Sequence, residues 1–187
     1  MIESKESELS EPIEFKNCIY EDVRGFFTEV FSEKNLPEEL KEIDWVQDNL
    51  SVSRKEVVRG LHMQMSPHGQ AKFVTVLRGS VCDVVVDARP SSPNFGKSKK
   101  FYLHALKSSL FIPEGFLHGF ISLEQETLFH YKCSSYYNKS TSVGVYYNDP
   151  DLGINWPETV DIPIISDQDK NAMSWKEFER LVLNNAI

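Results

Sequence analysis

Cysteine is scarce in this chain: three residues, Cys18, Cys82 and Cys133, stand among 187, an odd number without paired spacing. A disulfide framework and a zinc ribbon are thereby excluded as the basis of the fold, and a reduced, cytoplasmic protein is expected. Basic charge is also short, with 20 Lys and Arg against 28 Asp and Glu, a net charge of -8 and a pI near 5.2. A nucleic-acid partner, which would be held by Lys and Arg at phosphates, is excluded, and any anionic ligand must meet a local basic patch. No apolar run approaches the length of a membrane span, so no membrane partner is expected. The opening "MIESKESELSEP" is acidic and polar where a targeting segment would be basic and then apolar, and it reads as a flexible tail over residues 1–11. Internal repeats and low-complexity linkers are lacking too. With 41% apolar residues, the chain is expected to form a single domain over residues 1–187.

What the chain does have is short apolar runs punctuated by turn residues, the rhythm of an all-β sandwich or barrel. "IEFKNCIY", "GFFTEVF", "WVQDNLSVS", "VVRGLHMQ", "KFVTVLRG", "KKFYLHAL", "SLFIPEG", "LHGFISLE" and "TLFHYKCSSYY" read as strands. "VLRGSVCDVVV" reads as a hairpin turning at Arg78 and Gly79. Helical signal is confined to a short turn in "NLPEELKE" and to "SWKEFERLVLNN". In the latter, Ser174 and Glu177 form a capping box, and Trp175, Phe178, Leu181 and Val182 make one apolar stripe. The pattern predicts a β jelly roll with a C-terminal helical segment over residues 166–187.

One stretch departs from the apolar rhythm. "RGLHMQMSPHGQAK" (59–72) holds Arg59, His62, His68 and Lys72 between runs that read as buried strands. Burying such groups is costly unless something pairs with them. On a regular strand Arg59 and His62 face opposite ways, but a bulge at Gly60 would return both to one side. "PEGFLHG" places His118 after a Pro/Gly corner, and "FHYKC" puts Phe129, Tyr131 and Cys133 on one face with His130 and Lys132 on the other. A closed sheet could aim His62, Lys72, His118 and Tyr131 into one cavity.

"PHGQAKFVTVLRG" followed by "PEGFLH" resembles the two boxes of the cupin superfamily, with Ser66, His68 and Lys72 standing where metal-binding members carry ligands. An ammonium has no lone pair to donate, so neither a metal nor any other cofactor is expected. Within that superfamily "DVRGFF", "VQDN", "RGLHMQ", "PHGQAK", "FGKSKKFYL", "IPEGFLHGF", "YKCSSYY" and "NDPDLGINWP" occur in the order and spacing of the dTDP-4-dehydrorhamnose 3,5-epimerase family. The resemblance runs from about residue 12 to residue 170. It implies a homodimeric cupin jelly roll that inverts C3, C5 or both in a nucleoside-diphosphate-linked 4-keto sugar, for a cell-surface polysaccharide.

That reaction needs a base on one face of the carbon, an acid on the other, and a positive or hydrogen-bonding group at the enolate oxygen. By position in the family motifs, His62 matches the base, Tyr131 the acid and Lys72 the group facing the oxyanion. Asp169 matches the carboxylate that orients the base, although a turn carboxylate is the alternative. Arg24, Glu29, Gln47, Asn49, Arg59, His118 and Tyr137 match substrate-binding positions, where an Arg fork suits phosphate oxygens. His104 and His130 read as surface or packing residues, and His68 stays open between a loop residue, a pyrophosphate contact and a remnant of the metal box. Gln168 stands where the family pattern has Lys, Ser142 where it has Glu, and Met63 where it has an aromatic residue. These departures leave open a GDP-linked sugar or a heptose beside the dTDP-linked 6-deoxyhexose. A 3,4-ketoisomerase, a metal-dependent cupin and a non-catalytic sugar-nucleotide binding module are the competing expectations.

Overall fold

The computed structural model of the chain describes residues 10–157 and 163–185. Along the chain come β1 (Ile13–Lys16), β2 (Ile19–Asp22), β3 (Gly25–Thr28), a 3₁₀ turn (Glu33–Asn35), α1 (Glu38–Lys41), β4 (Gln47–Ser53) and β5 (Val57–Gln64). There follow β6 (Lys72–Arg78), β7 (Ser80–Asp87), β8 (Ser98–His104), β9 (Ser108–Ile112), β10 (Phe116–Ser122), β11 (Thr127–Cys133) and β12 (Ser142–Gly144). The last elements are β13 (Ile164–Ile165), α2 (Asp167–Lys170) and α3 (Trp175–Asn185). One sheet runs β1-β9-β6-β11-β4 and the other β12-β5-β10-β7-β8, with β13 added beside β5. The two make an all-β jelly roll of the cupin type, with β2 and β3 set apart as their own hairpin.

Alternation along the strands builds three apolar layers. Val74, Val76, Val81, Val85, Leu110 and Phe120 pack between the sheets. Their strand neighbours Phe73 and Phe111 turn outward to meet Leu36, Leu40, Phe31 and Trp45, which cover the five-stranded sheet. On the other sheet the outward Val58, Leu61, Val84 and Leu117 lie in one cluster with Trp175, Phe178 and Val182 of α3. The cap of α3 is reciprocal, as its sequence indicates: the Glu177 amide donates to Ser174 Oγ at 3.3 Å, and the Ser174 amide donates to Glu177 Oε2 at 2.8 Å. Helices therefore do appear within 166–187, although the last two residues lie outside the described ones. Of the expected tail, residues 1–9 also lie outside the described residues, whereas the Ser10 carbonyl accepts a hydrogen bond from Arg89 at 2.6 Å.

One expectation is overturned. "VLRGSVCDVVV" is not a hairpin: β6 pairs with β9 and β11, while β7 pairs with β8 and β10 in the opposite sheet. Gly79, at φ +78°, turns a corner between sheets. A tight glycine turn with valines on both sides looks the same in sequence whether the chain folds back or crosses over.

The expected bulge is present. His118 pairs with His62 and Phe120 with Arg59, so Gly119 opposes both Gly60 and Leu61. The extra residue resets the alternation and returns Arg59 and His62 to the same side. Gly60 sits at φ +120°, and a Cβ there would meet Gly119 Cα at 2.5 Å and the His118 carbonyl at 2.7 Å. Gly60→Ala is therefore expected to destabilise the protein by about 3 kcal/mol, combining backbone strain and overpacking. Gly25→Ala, at φ +128° in open space, should cost only the strain, about 1 kcal/mol. Urea midpoints of the two variants check the difference.

Candidate active site

The bulge on β5 aims Arg59 and His62 into the space between the sheets, and inward positions on β6, β10 and β11 add Lys72, His118 and Tyr131. With Asp169 from α2 these line one cavity of about 750 Å³. Period-two alternation explains the selection: Lys72, Val74 and Val76 face in on β6, and Phe129 and Tyr131 on β11, while His130 and Lys132 face out to share Asp48.

Asp169 Oδ1 and His62 Nε2 lie 2.6 Å apart. The Asp169 side chain is 6% exposed, whereas that of His62 is 37% exposed. Burial alone would push the Asp169 carboxyl up, but the hydrogen bond and charge of His62, the Gly60 amide and Ser166 outweigh it and hold the group below the usual carboxylate range. Ser166 is also the N-cap of α2, accepting from the Asp169 amide at 3.1 Å. With Asp169 accepting from Nε2–H, the neutral ring carries its lone pair at Nδ1.

A second pair lies deeper. His118 Nε2 is 2.9 Å from Asp83 Oδ2, with both residues buried. Asp83 Oδ1 has no hydrogen-bond partner among the described residues. Burial pulls the His118 pKa down against the opposing pull of Asp83, so the ring is a neutral donor to that carboxylate. Burial lowers the Lys72 ammonium pKa, and the charges of Cys133 and Asp83 pull it back up. Burial also raises the Tyr131 phenol, Cys133 adding to the shift and Arg59 opposing it. The Tyr131 ring leans on Phe129 at 6.1 Å, and Phe129 stacks on Phe120 at 4.1 Å. Five groups that can hold or move a proton, Asp169, His62, Lys72, His118 and Tyr131, thus share one partly apolar chamber, where electrostatic effects are larger than in water.

Gln47, Asn49 and Tyr137 line a smaller adjoining chamber of about 170 Å³, which shares His62, Lys72, Tyr131 and Gln168 with its neighbours. Met63, Ser142 and Gln168, the three departures from the family pattern, all lie on this smaller chamber. Arg59 donates through Nε to Ser53 Oγ at 3.0 Å. Arg24 and Glu29 are not brought to either chamber. Arg24 sits on the β2–β3 hairpin paired with Asp22, and Glu29 accepts from Asn35 beside a separate cleft. His68 is half-buried with Nε2 3.1 Å from Asn138 Nδ2 and lines neither chamber. His104 is exposed.

Sequence reasoning missed Asp83 and Gln64. A carboxylate inside "VCDVVVD" was a usable signal, because a buried strand keeps an acid only with a partner. Among the described residues no three His, Cys, Asp or Glu side chains gather as a metal site, and no helix is long and apolar enough to cross a membrane.

The fold and this cavity define a cupin jelly roll equipped for proton transfer. Residues 6–177 match the family model described as dTDP-4-dehydrorhamnose 3,5-epimerase, and the chain belongs to that family. It is 40% identical over 178 residues to the dTDP-4-dehydrorhamnose 3,5-epimerase of Shigella flexneri, covering 94% of this chain and 97% of that one. Among solved structures it resembles the Legionella pneumophila dTDP-6-deoxy-D-glucose-3,5-epimerase in complex with dTDP-4-keto-L-rhamnose, at TM-score 0.86 and 39% identity, over 94% of each chain. It also resembles a 3'-monoepimerase from Streptomyces bikiniensis in complex with dTDP-quinovose, at TM-score 0.84 and 33% identity, over 92% of this chain and 87% of that one.

The His118 pair carries a pH signature. Because its folded pKa lies below the ordinary histidine value near 6.5, the unfolded chain binds the extra proton first, and the stability this group confers is lost as pH falls from about 7. The stability advantage of wild type over His118→Asn should therefore shrink between pH 7 and pH 5 in urea titrations. An advantage that stays constant or grows would contradict the neutral assignment.

Proposed function

We propose that this chain is an isomerase that epimerises a dTDP-linked 4-keto-6-deoxyhexose at C3 and C5 through an enolate. The single observation that carries the reading is the His62–Asp169 hydrogen bond of 2.6 Å opening into the cavity that Lys72 and Tyr131 also line. A C–H bond beside a ketone ionises only if its electron pair can pass to the carbonyl oxygen. His62 Nδ1 takes the proton, the electrons move to the ketone oxygen, and the Lys72 ammonium faces the enolate that results. Tyr131 then gives its phenolic proton to the opposite face of the same carbon, the ketone re-forms, and the configuration is inverted. No oxidation state changes. The imidazolium and phenolate return to their starting forms by exchanging protons with solvent.

Each environment suits its role. Asp169, kept ionised by its partners, steadies the imidazolium. Burial keeps Tyr131 protonated until a strong base, the enolate, faces it. Arg59, at the rim of the larger cavity, is the group for the diphosphate. The same reading takes the protein as a homodimer acting in the cytoplasm, with a cell-surface polysaccharide sugar as the eventual product. Tyr20, Val23, Phe26 and Phe27 on the hairpin are exposed, Val23 fully, and Arg24 and Glu29 lie away from this chain's cavity. A second copy would bury the apolar face and receive those two side chains at its own site. The likeness to a monoepimerase supports one variant, inversion of a single carbon.

In heavy water the dTDP-4-keto-6-deoxyhexose should gain two deuterons, or one if a single carbon is inverted, as read by mass spectrometry. His62→Ala should slow that uptake by about 10²–10⁴-fold while the fold persists. No uptake by the wild type would sink the reading. Because burial lowers the Lys72 pKa, activity should fall on the alkaline side at a pH below the ordinary lysine value of about 10.4. Lys72→Arg, which keeps its charge, should move that limb upward in a profile of kcat/KM against pH.

A further inference from the structure

Gln64 is a buried amide, 5% exposed, that the proton-transfer scheme leaves unused. It nevertheless spends its hydrogen-bonding capacity on one loop junction. Its Nε2 donates to the His68 carbonyl at 2.6 Å and to the Tyr136 carbonyl at 3.2 Å, and its Oε1 accepts from the Asn138 amide at 2.6 Å. From the opposite sheet, Gln47 Oε1 accepts from the Tyr137 amide at 3.0 Å, while Gln47 Nε2 donates to Asn49 at 3.0 Å. Backbone groups of three successive residues, 136 to 138, thus end on side-chain amides from β5 and β4. The segment bridges the two sheets, and Tyr137 lines the smaller chamber while the residue stays 60% exposed.

A tyrosine left so open has little packing of its own to fix it. Backbone hydrogen bonds to buried amides are what remains, and each becomes costly to break once its partner cannot reach water. In the proposed scheme His62 and Tyr131 move the proton and Lys72 faces the oxygen, and Gln64 has no part in it.

We infer that Gln64 is a positioning residue for substrate binding, acting through Tyr137 by clamping segment 136–138 over the smaller chamber. It sets affinity and leaves proton transfer alone. The inference rests on the nucleotide-sugar reading above. Gln64→Leu removes all three hydrogen bonds. Gln64→Glu keeps the volume and the acceptor for Asn138 but loses both donors, and it serves if the leucine variant fails to fold.

In the deuterium-uptake assay either variant should raise KM at least tenfold with kcat within about threefold of wild type. Tyr137→Ala should do the same, and the double variant should be no worse than the poorer single one. A fall in kcat at unchanged KM, an unchanged KM, or multiplicative effects in the double variant would overturn the inference. Hydrogen exchange at the Tyr137 and Asn138 amides separates the two readings. If the wild type takes up no deuterium the functional reading fails, yet the clamp still stands or falls on whether Gln64→Leu, which strips the Asn138 amide of its acceptor, speeds exchange there.

Discussion

The 2.6 Å hydrogen bond between Asp169 and His62 ties the end of the chain to the mouth of the sandwich. Asp169 belongs to α2, a single turn capped by Ser166, and α2 is followed directly by α3, which lies against the outer face of the six-stranded sheet. Packing of Trp175, Phe178 and Val182 therefore does more than bury apolar area: it delivers a carboxylate to the edge of a cavity on the far side of β5. On the other half of the bond, the bulge at Gly60 turns His62 inward to meet it. Remove either and the imidazole loses both its partner and its fixed orientation, which in a proton-transfer site costs more than the bond's own modest stability.

Two histidines sit in this cavity under different physical regimes. His118 is buried, held neutral and spent on Asp83, so it is a structural donor that shapes the field around Lys72. His62 is partly open, with its partner fully ionised, so it is the ring free to accept a proton. Lys72 and Tyr131 are both shifted by burial, and the shifts oppose each other in consequence: one makes the cation easier to lose, the other makes the phenol harder to ionise. Burial holds Tyr131 and His118 neutral at rest, beside an Asp169 carboxylate and a Lys72 ammonium that are in place before an enolate forms. That is preorganisation rather than tight ground-state binding.

Much of this was legible in residue order because strand alternation is strict. Phe129, Tyr131 and Cys133 share a face by arithmetic, and the glycine between Arg59 and His62 is interpretable as a bulge because nothing else would bring two polar groups into one cavity. The capping box of α3 was equally plain. What failed was anything set by long-range topology. The Arg78-Gly79 turn looked like a hairpin because pairing partners are chosen by the whole sheet, not by the turn. Arg24 lies on the β2–β3 hairpin and Glu29 just beyond it, away from both chambers of this chain, and motif order alone does not say where such a hairpin is set. Gln64 was invisible as well, since an amide's importance comes from which carbonyls it meets.

The most direct test of opposed acid and base is Tyr131→Phe in heavy water with the dTDP-4-keto-6-deoxyhexose, following isotope content and stereochemistry together. Removing the phenol leaves the base intact, so the variant is expected to incorporate deuterium with retention while forming inverted product at least a hundredfold more slowly. Inversion at the wild-type rate would contradict the placement of Tyr131 across the carbon from His62.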